Sequence, residues 1–334
     1  MGVAPLRCCE WEIHAEVEGH ARVSSAKAAI AKNGNPYLVF GLHDGDGVAF
    51  DAKQFSSVEE PPTAGTVLFI RATVDNYDGP LSLKIATWQI APSIPAHHFL
   101  PWMPAERRAS RAELDALITG IGDEPLRALV EAVFDDDARA RFAVHPAARR
   151  NHGAVVAGLL THTVRVTQMA LALATFVPVI DNDLLLAAAL LHDIGKLDEL
   201  SEQPGVEYTE PGKLLGHVTL GMLRVNEIAT TIPDLAPDRK QLLLHVIQAA
   251  HGKKEYGAPV VPATFEALLL SLSDDAESKI EARLEAVERM PPGAPWTPYV
   301  KNFQTPFRVP DALIPEEPQT TGDQDWPDPD DVPF

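Results

Sequence analysis

The sequence predicts a multidomain α+β chain, in which a small five-stranded barrel precedes an all-helical domain and a disordered acidic tail. Three observations carry this. Residues ~10 to 92 break into short segments of alternating polarity separated by turn signals; from Ser110 onward apolar residues recur at helical spacing; and from Pro291 the chain turns rich in proline, glycine and acids. These shifts set boundaries at 10–95 for the barrel, 96–110 for a proline-punctuated connector, 111–290 for the helices and 291–334 for the tail. At 334 residues the chain is long enough for both parts to bury a core.

The barrel is read from its turns. Lys32-Asn33-Gly34-Asn35-Pro36, His43-Asp44-Gly45-Asp46-Gly47 and Asn76-Tyr77-Asp78-Gly79-Pro80 punctuate the candidate strands Tyr37–Leu42, Val48–Phe55, Thr66–Val74 and Leu81–Trp88, with a first strand near Ile13–Val23. Five short antiparallel strands suit an OB-fold, and an SH3-like barrel has nearly the same signature. Within Tyr37–Leu42, alternation sends Leu38, Phe40 and Leu42 to the core face and Tyr37 and Val39 to the other.

The helices follow from caps and periodicity. Ser110-Arg111-Ala112-Glu113 has the form of a capping box, with Leu114, Leu117, Ile118 and Ile121 behind it at helical spacing. Leu126, Leu129, Val130 and Val133 make a second stripe. Further helices are expected over Val155–Phe176, Asp183–Leu191, Leu215–Ile228, Arg239–Ala250 and Thr264–Glu288.

Hydrophobic residues at 46% and charged residues at 22% are ordinary for a soluble globular protein. No apolar run approaches the ~18 residues of a membrane helix. The adjacent Cys8 and Cys9 cannot make a framework of bridges, so the expected compartment is a reducing cytoplasm. The net charge is −19, and seven carboxylates lie beyond Pro315, which leaves about −12 on the body. That balance excludes binding nucleic acid through bulk positive charge. Any such binding must rest on local basic groups, stacking or metal ions.

The chemistry sits at the ends of apolar runs. Leu184–Leu191 leads directly into His192-Asp193-Ile194-Gly195-Lys196, and a buried His-Asp pair is unfavourable unless something binds it. Imidazole and carboxylate together suit Mn, Fe, Co or Zn. Alone, the pair reads more readily as a helix end with a capping aspartate. However, His162 closes Val155–Leu160, His217 follows Leu214-Leu215-Gly216, His245 and His251 flank Val246–Ala250, and Asp274 and Asp275 interrupt a leucine run. Five apolar stretches with a ligand at one edge point to a metal site.

The order His162, His192-Asp193, Asp274 resembles the HD superfamily of metal-dependent phosphohydrolases. The phrases Gly158-Leu159-Leu160-Thr161-His162-Thr163, His192-Asp193-Ile194-Gly195-Lys196, Tyr208-Thr209-Glu210 and Leu214-Leu215-Gly216-His217, with Asn33-Gly34-Asn35-Pro36-Tyr37-Leu38 in the barrel, are similar to the YhaM-type 3′→5′ exoribonucleases over residues 12–285. That resemblance favours the OB-fold over the SH3-like barrel. It implies one metal held by His162, His192, Asp193 and Asp274, and a second by His217 and His251 with Asp193 bridging. His251 is preferred to His245 because it opens the phrase His251-Gly252-Lys253-Lys254-Glu255. Ala250, Gly153 and Glu277 depart from the family pattern.

The implied cofactors are two divalent ions, manganese first, with iron, cobalt, nickel or magnesium as alternatives. Two ions ~3.5–4 Å apart lower the pKa of a bridging water and hold the attacked phosphate. Asp193 and Lys196 are the catalytic candidates. Candidate nucleic-acid contacts are Tyr37, Lys53, Phe55, Arg71 and Tyr77 on the barrel, with Arg149 and Arg150 on the helical domain. The end, Asp330-Asp331-Val332-Pro333-Phe334, resembles the C-terminal tip of bacterial single-stranded DNA-binding proteins. That makes Asp330, Asp331, Pro333 and Phe334 candidates for docking on proteins that recognise such a tip.

The resulting expectation is a metal-dependent 3′→5′ exonuclease of single-stranded DNA or RNA, working through a metal-activated water, either as a single chain or as an oligomer. Two other classes stand beside it. One is an HD phosphohydrolase of nucleotides or cyclic nucleotides, with a barrel that only docks partners. The other is a non-catalytic DNA-repair adaptor, which an intact ligand set disfavours.

Overall fold

The computed structural model describes residues 5–314, apart from 32, 56–58, 77–80, 92–93, 95, 102, 149–154, 202–205, 289, 292 and 301–302. Met1–Ser278 form one compact unit and Lys279–Phe334 a second.

The first unit begins with β1 (Glu16–Ile30), β2 (Pro36–His43), β3 (Ala49–Phe55), β4 (Val67–Asp75) and β5 (Ser82–Ile90). They close a barrel in the order β1-β2-β3-β5-β4. The β3–β5 pairing is parallel and every other pairing antiparallel. This is the five-stranded Greek-key closure of an OB-fold, so the SH3-like alternative falls away. Leu38, Phe40 and Leu42 point into the barrel as alternation predicts.

The first strand is longer than its alternation suggests and runs to Ile30. Its first half pairs with β4 and its second with β2, with a register shift between Val23 and Ser25. Ser24 and Ser25 both face solvent there, and the broken alternation hid the second half. The β2–β3 turn is knotted by buried Asp44. Its Oδ1 accepts the N–H groups of Asp46 at 2.9 Å and Val48 at 2.8 Å, and its Oδ2 accepts that of Cys8 at 2.8 Å.

The helices are α1 (Arg111–Thr119), α2 (Glu124–Val133), α3 (Asp136–Phe142), α4 (Gly158–Ala174), α5 (Asn182–Leu191), α6 (Lys196–Glu199), α7 (Glu210–Ala229), α8 (Pro237–Gln248) and α9 (Phe265–Glu288). The capping box at Ser110 and Glu113 forms in full. Asp123, Asp181 and Thr209 cap α2, α5 and α7 through N–H groups three residues on. Every residue of α5 from Leu184 to Leu191 is buried. That helix is the axis of the domain, packed by α1, α2, α4 and α8. The short α3 was not legible, since it buries only Ala138 and Phe142. No helix among the described residues is long and apolar enough to cross a membrane.

In the second unit, the last turns of α9 precede an extended stretch in which Trp296 bridges Arg308 and Val300 bridges Thr305. The Arg283 guanidinium lies over the rings of Phe307 at 3.9 Å and Phe303 at 4.8 Å. Asp330, Asp331, Pro333 and Phe334 lie outside the described residues.

Phe40 fills the barrel interior with its ring 6.3 Å from that of Trp88. Phe40→Ala is expected to destabilise the barrel by about 3–5 kcal/mol. Urea unfolding followed by tryptophan fluorescence measures this, and a loss under about 1 kcal/mol would contradict the packing described.

Candidate metal centre

Five segments of the first unit bring the ligand-type residues together. His162 lies in the first turns of α4, and His192 directly follows α5. Asp193 occupies the turn before α6, which starts with Lys196 and ends with Glu199. His217 lies within α7, His251 just beyond α8, and Asp274 and Glu277 one turn apart on α9.

Two glycines set this arrangement. Gly216 has φ 71° and ψ 159° inside α7, a conformation essentially confined to glycine, although a Cβ there would meet nothing within 4 Å. The break starts a fresh helical stretch at His217. Glu199 Oε1 then accepts both the His217 N–H and its ring Nδ1–H, each at 3.0 Å. Gly195 is required by space instead. A Cβ on it would stand 2.1 Å from the His217 carbonyl oxygen and 2.4 Å from Gly221 N. The start of α6 therefore lies directly on α7 beside His217.

All four clustered imidazoles are oriented in the same way. Nδ1 of His162 donates to Glu277 Oε2 at 2.6 Å, that of His192 to the Ala189 carbonyl at 2.7 Å, that of His217 to Glu199 as above, and that of His251 to Asp274 Oδ2 at 3.0 Å. These partners only accept, so each Nδ1 carries the proton and each Nε2 faces the centre. His162 Nε2 is 3.3 Å from Asp193 Oδ2 and 3.2 Å from Asp274 Oδ1. His192 Nε2 is 3.4 Å from Asp193 Oδ2. On the other side, His217 Nε2 is 3.4 Å from Asp193 Oδ1 and 2.9 Å from His251 Nε2. Asp193 thus faces His162 and His192 with one oxygen and His217 with the other.

Whether these groups fit a divalent ion is answered by their unmet valences. His192 Nε2 and both Asp193 carboxylate oxygens are buried with no hydrogen-bond partner among the described residues. Lys196 Nζ lies 2.7 Å from Asp193 Oδ2, as a charge contact and not an aligned hydrogen bond. Ligand atoms of His162, His192 and Asp193 lie within 4.8 Å of one another, as do those of Asp193, His217 and His251. Imidazole nitrogens and carboxylate oxygens at this spacing can hold divalent metal.

The electrostatics agree. Burial alone would raise the Asp193 pKa, but Lys196 and His192 beside it hold it well below the usual carboxylate range. Burial likewise opposes charge on Lys196, and the Asp193 carboxylate outweighs it, so the ammonium is retained. Burial would lower His162, yet Asp193, Asp274 and Glu277 together raise it well above its ordinary value. Asp274 does the same for His251 against its burial. The centre favours a cation, whether proton or metal.

His245, the competing histidine, is elsewhere: its Nε2 accepts the Ala263 N–H at 3.0 Å and so ties down the loop before α9. Sequence reasoning missed the orienting roles of Glu199 and Glu277. Glu277 was legible as the residue one helical turn beyond Asp274. The role of Glu199 depends on a tertiary contact alone.

On the barrel, Tyr37 and Phe55 are direct cross-strand partners with stacked rings, centroids 5.9 Å apart. Lys53 shares their face and is the register partner of Lys84 on β5. Arg71 stands apart on β4, paired with Glu18 at 3.0 Å. Tyr77, Arg149 and Arg150 lie outside the described residues.

This helical cluster is an HD domain: residues 159–283 match that family. Over 293 residues the chain is 31% identical to the 3′-5′ exoribonuclease YhaM of Bacillus subtilis (strain 168), covering 84% of this chain and 91% of that one. Over 287 residues it is 33% identical to the YhaM of Shouchella clausii (strain KSM-K16), covering 83% and 88%. A quarter of the chain also aligns with 92% of the second OB-fold domain of replication protein A from Methanococcus maripaludis, at 14% identity and a TM-score of 0.21. The chain belongs to the YhaM 3′-5′ exoribonuclease family, and it is a hydrolase acting on phosphodiester bonds.

Two outcomes are expected at this centre. Gly195→Ala forces α6 off α7 and should lower both stability, by about 1–3 kcal/mol, and bound metal; thermal melts with metal analysis measure both, and unchanged metal content would contradict the close approach. The second concerns pH. His162 and His251 have raised pKa values, so in the metal-free protein their charges stabilise the fold below about pH 6.5 and that contribution fades as pH climbs through the raised values. A metal must displace those protons. Metal affinity should therefore rise with pH, by roughly tenfold per unit for each proton displaced. Calorimetric Mn²⁺ titrations at pH 6, 7 and 8 in buffers of different ionisation enthalpy test this, and a pH-independent affinity would refute it.

Proposed function

We propose that this chain is a metal-dependent 3′→5′ exonuclease that trims single-stranded nucleic acid, with RNA as the first substrate to be tried and DNA the second. The observation that carries the reading is the two-sided arrangement about Asp193, in a chain whose relatives over most of its length are named 3′-5′ exoribonucleases. The direction of attack and the choice of RNA come from those relatives.

In this reading His162, His192, Asp193 and Asp274 hold one divalent ion, and Asp193, His217 and His251 hold a second, with manganese preferred. Ions bound there supply Lewis acidity to a phosphate oxygen and ease deprotonation of water. The chain's own groups do the rest. Glu277 and Glu199 keep the rings of His162 and His217 turned inward. Asp193 stays ionised because Lys196 neutralises it. Lys196, whose charge survives burial, also offers positive charge where phosphate gains negative charge. The stacked Tyr37–Phe55 pair and the Lys53–Lys84 pair lie on the β2–β3–β5 surface, the side on which OB-folds receive a strand. They keep the strand attached through stacking and local charge, as an acidic protein requires.

The test uses a 5′-labelled 20-mer in RNA and DNA forms with Mn²⁺. The wild type should produce a ladder shortening from the 3′ end. Asp193→Asn should cut the rate by at least about 10³-fold and remove most bound metal, while chelation of the wild type should abolish activity reversibly. Cleavage from the 5′ end, or full activity in Asp193→Asn, would overturn the assignment.

A further inference from the structure

The cluster is most open at His217 and His251. The side chains of His192 and Asp193 are 0% and 1% exposed, whereas those of His217 and His251 are each 19% exposed. Among the ligand-type groups these two are the most accessible, ahead of His162 at 10% and Asp274 at 11%, and their Nε2 atoms, 2.9 Å apart, mark one short stretch of rim. The chain carries exposed apolar and aromatic residues close in sequence to both histidines. Leu214 and Leu215 immediately precede the Gly216 break and His217, and both are exposed, Leu214 to 76%. On the other side, His251 leads within five residues to Tyr256, which is 61% exposed.

The loop from His251 to Ala258 is not a loose connection. The Lys253 N–H donates to the His251 carbonyl at 2.7 Å, those of Tyr256 and Ala258 donate to the Lys253 carbonyl at 3.0 and 3.1 Å, and that of Gly257 to the Lys254 carbonyl at 3.0 Å. Within it the Lys253 ammonium sits 5.3 Å from the centroid of the Tyr256 ring, a cation–π contact on one face. An exposed aromatic ring, held by its own loop and carrying a cation on one face, offers its other face for stacking. It suits a site that meets a nucleobase beside a phosphate.

We propose that Tyr256, with Lys253 behind it and Leu214 and Leu215 across the rim, forms the subsite for the nucleotide being removed: the terminal base stacks on the Tyr256 ring, and Lys253 lies close to a phosphate of the same strand end. A flat apolar contact of this kind accepts every base, which a trimming enzyme needs. The inference rests on the exonuclease reading above and adds to it where the end of the strand is gripped.

The experiment compares wild type, Tyr256→Ala and Tyr256→Phe on single-stranded oligonucleotides whose 3′-terminal nucleotide either carries a base or is abasic, with metal content measured for each protein. Wild type acting on the base-bearing end establishes the activity independently of Tyr256; if it is inert on both substrates, the exonuclease reading itself fails and this subsite with it. With an active wild type, Tyr256→Ala should raise KM on the base-bearing end about tenfold, equivalent to about 1.4 kcal/mol and within the range of one stacked base. It should leave KM on the abasic end within about twofold and metal content unchanged, and Tyr256→Phe should restore the wild-type KM. An equal rise on both substrates, no rise on either, or a failure of Tyr256→Phe to restore KM overturns the proposal.

Discussion

The ionised, buried carboxylate of Asp193 is the constraint to which the rest of the helical domain conforms. A lone carboxylate in such surroundings would be strongly destabilising and would neutralise itself by taking up a proton. Here Lys196, three residues along in the first turn of α6, keeps it charged, and imidazoles approach both of its oxygens. The price is geometric. The α5–α6 turn must lie against α7, which is why Gly195 has no room for a side chain, and α7 must break at Gly216 to present His217. The wholly buried α5 gives that turn a rigid base. Truncating one partner of such a cluster leaves the others charged and uncompensated, so its members stand or fall together.

The orienting carboxylates extend the same logic outward. Glu277 and Glu199 are largely buried, and each is satisfied by the ring Nδ1–H it accepts. Placing these acids behind the imidazoles makes the rings better donors to a cation and fixes their tautomers before any ligand arrives. Glu277 reaches His162 from a position one helical turn past Asp274. A single α9 turn thereby contributes both an inward ligand-type carboxylate and an outward orienting one.

Much of this was legible in the sequence because burial of a ligand writes itself as a polar residue at the edge of an apolar run. His192-Asp193 after Leu184–Leu191, His162 after Val155–Leu160 and Asp274 after the α9 leucines all announced themselves that way. The barrel was legible for the complementary reason: Gly, Asn, Asp and Pro are demanded where strands reverse. What stayed hidden depended on tertiary contacts or broken periodicity. The second half of β1 was masked by the Ser24-Ser25 bulge, and α3 buries too little to show a stripe. Glu199 belongs to the site only because α6 packs on α7. The separation of Arg71 from Tyr37 and Phe55 is a matter of strand order, since β5 lies between β3 and β4 and β1 lies between β2 and β4.

The acidic balance of the chain bears on how a polyanion is handled. With a net charge of −19 the protein repels nucleic acid at long range, so attraction must be concentrated within about a Debye length, ~8 Å at physiological salt. The described surface offers such concentration at the Lys53–Lys84 pair beside stacked Tyr37 and Phe55, and at the Lys253-Lys254 loop that follows His251, where Lys253 contacts the Tyr256 ring. In both, lysines stand next to aromatic rings. Stacking does not weaken with salt as phosphate contacts do, and each single-strand phosphate contact changes the salt slope by only ~0.7. In the proposed function a few lysines paired with rings therefore retain a strand that the protein as a whole repels. On the same reading, after each cleavage the released nucleotide leaves a surface where, without the rest of the strand, only short-range contacts remain to hold it.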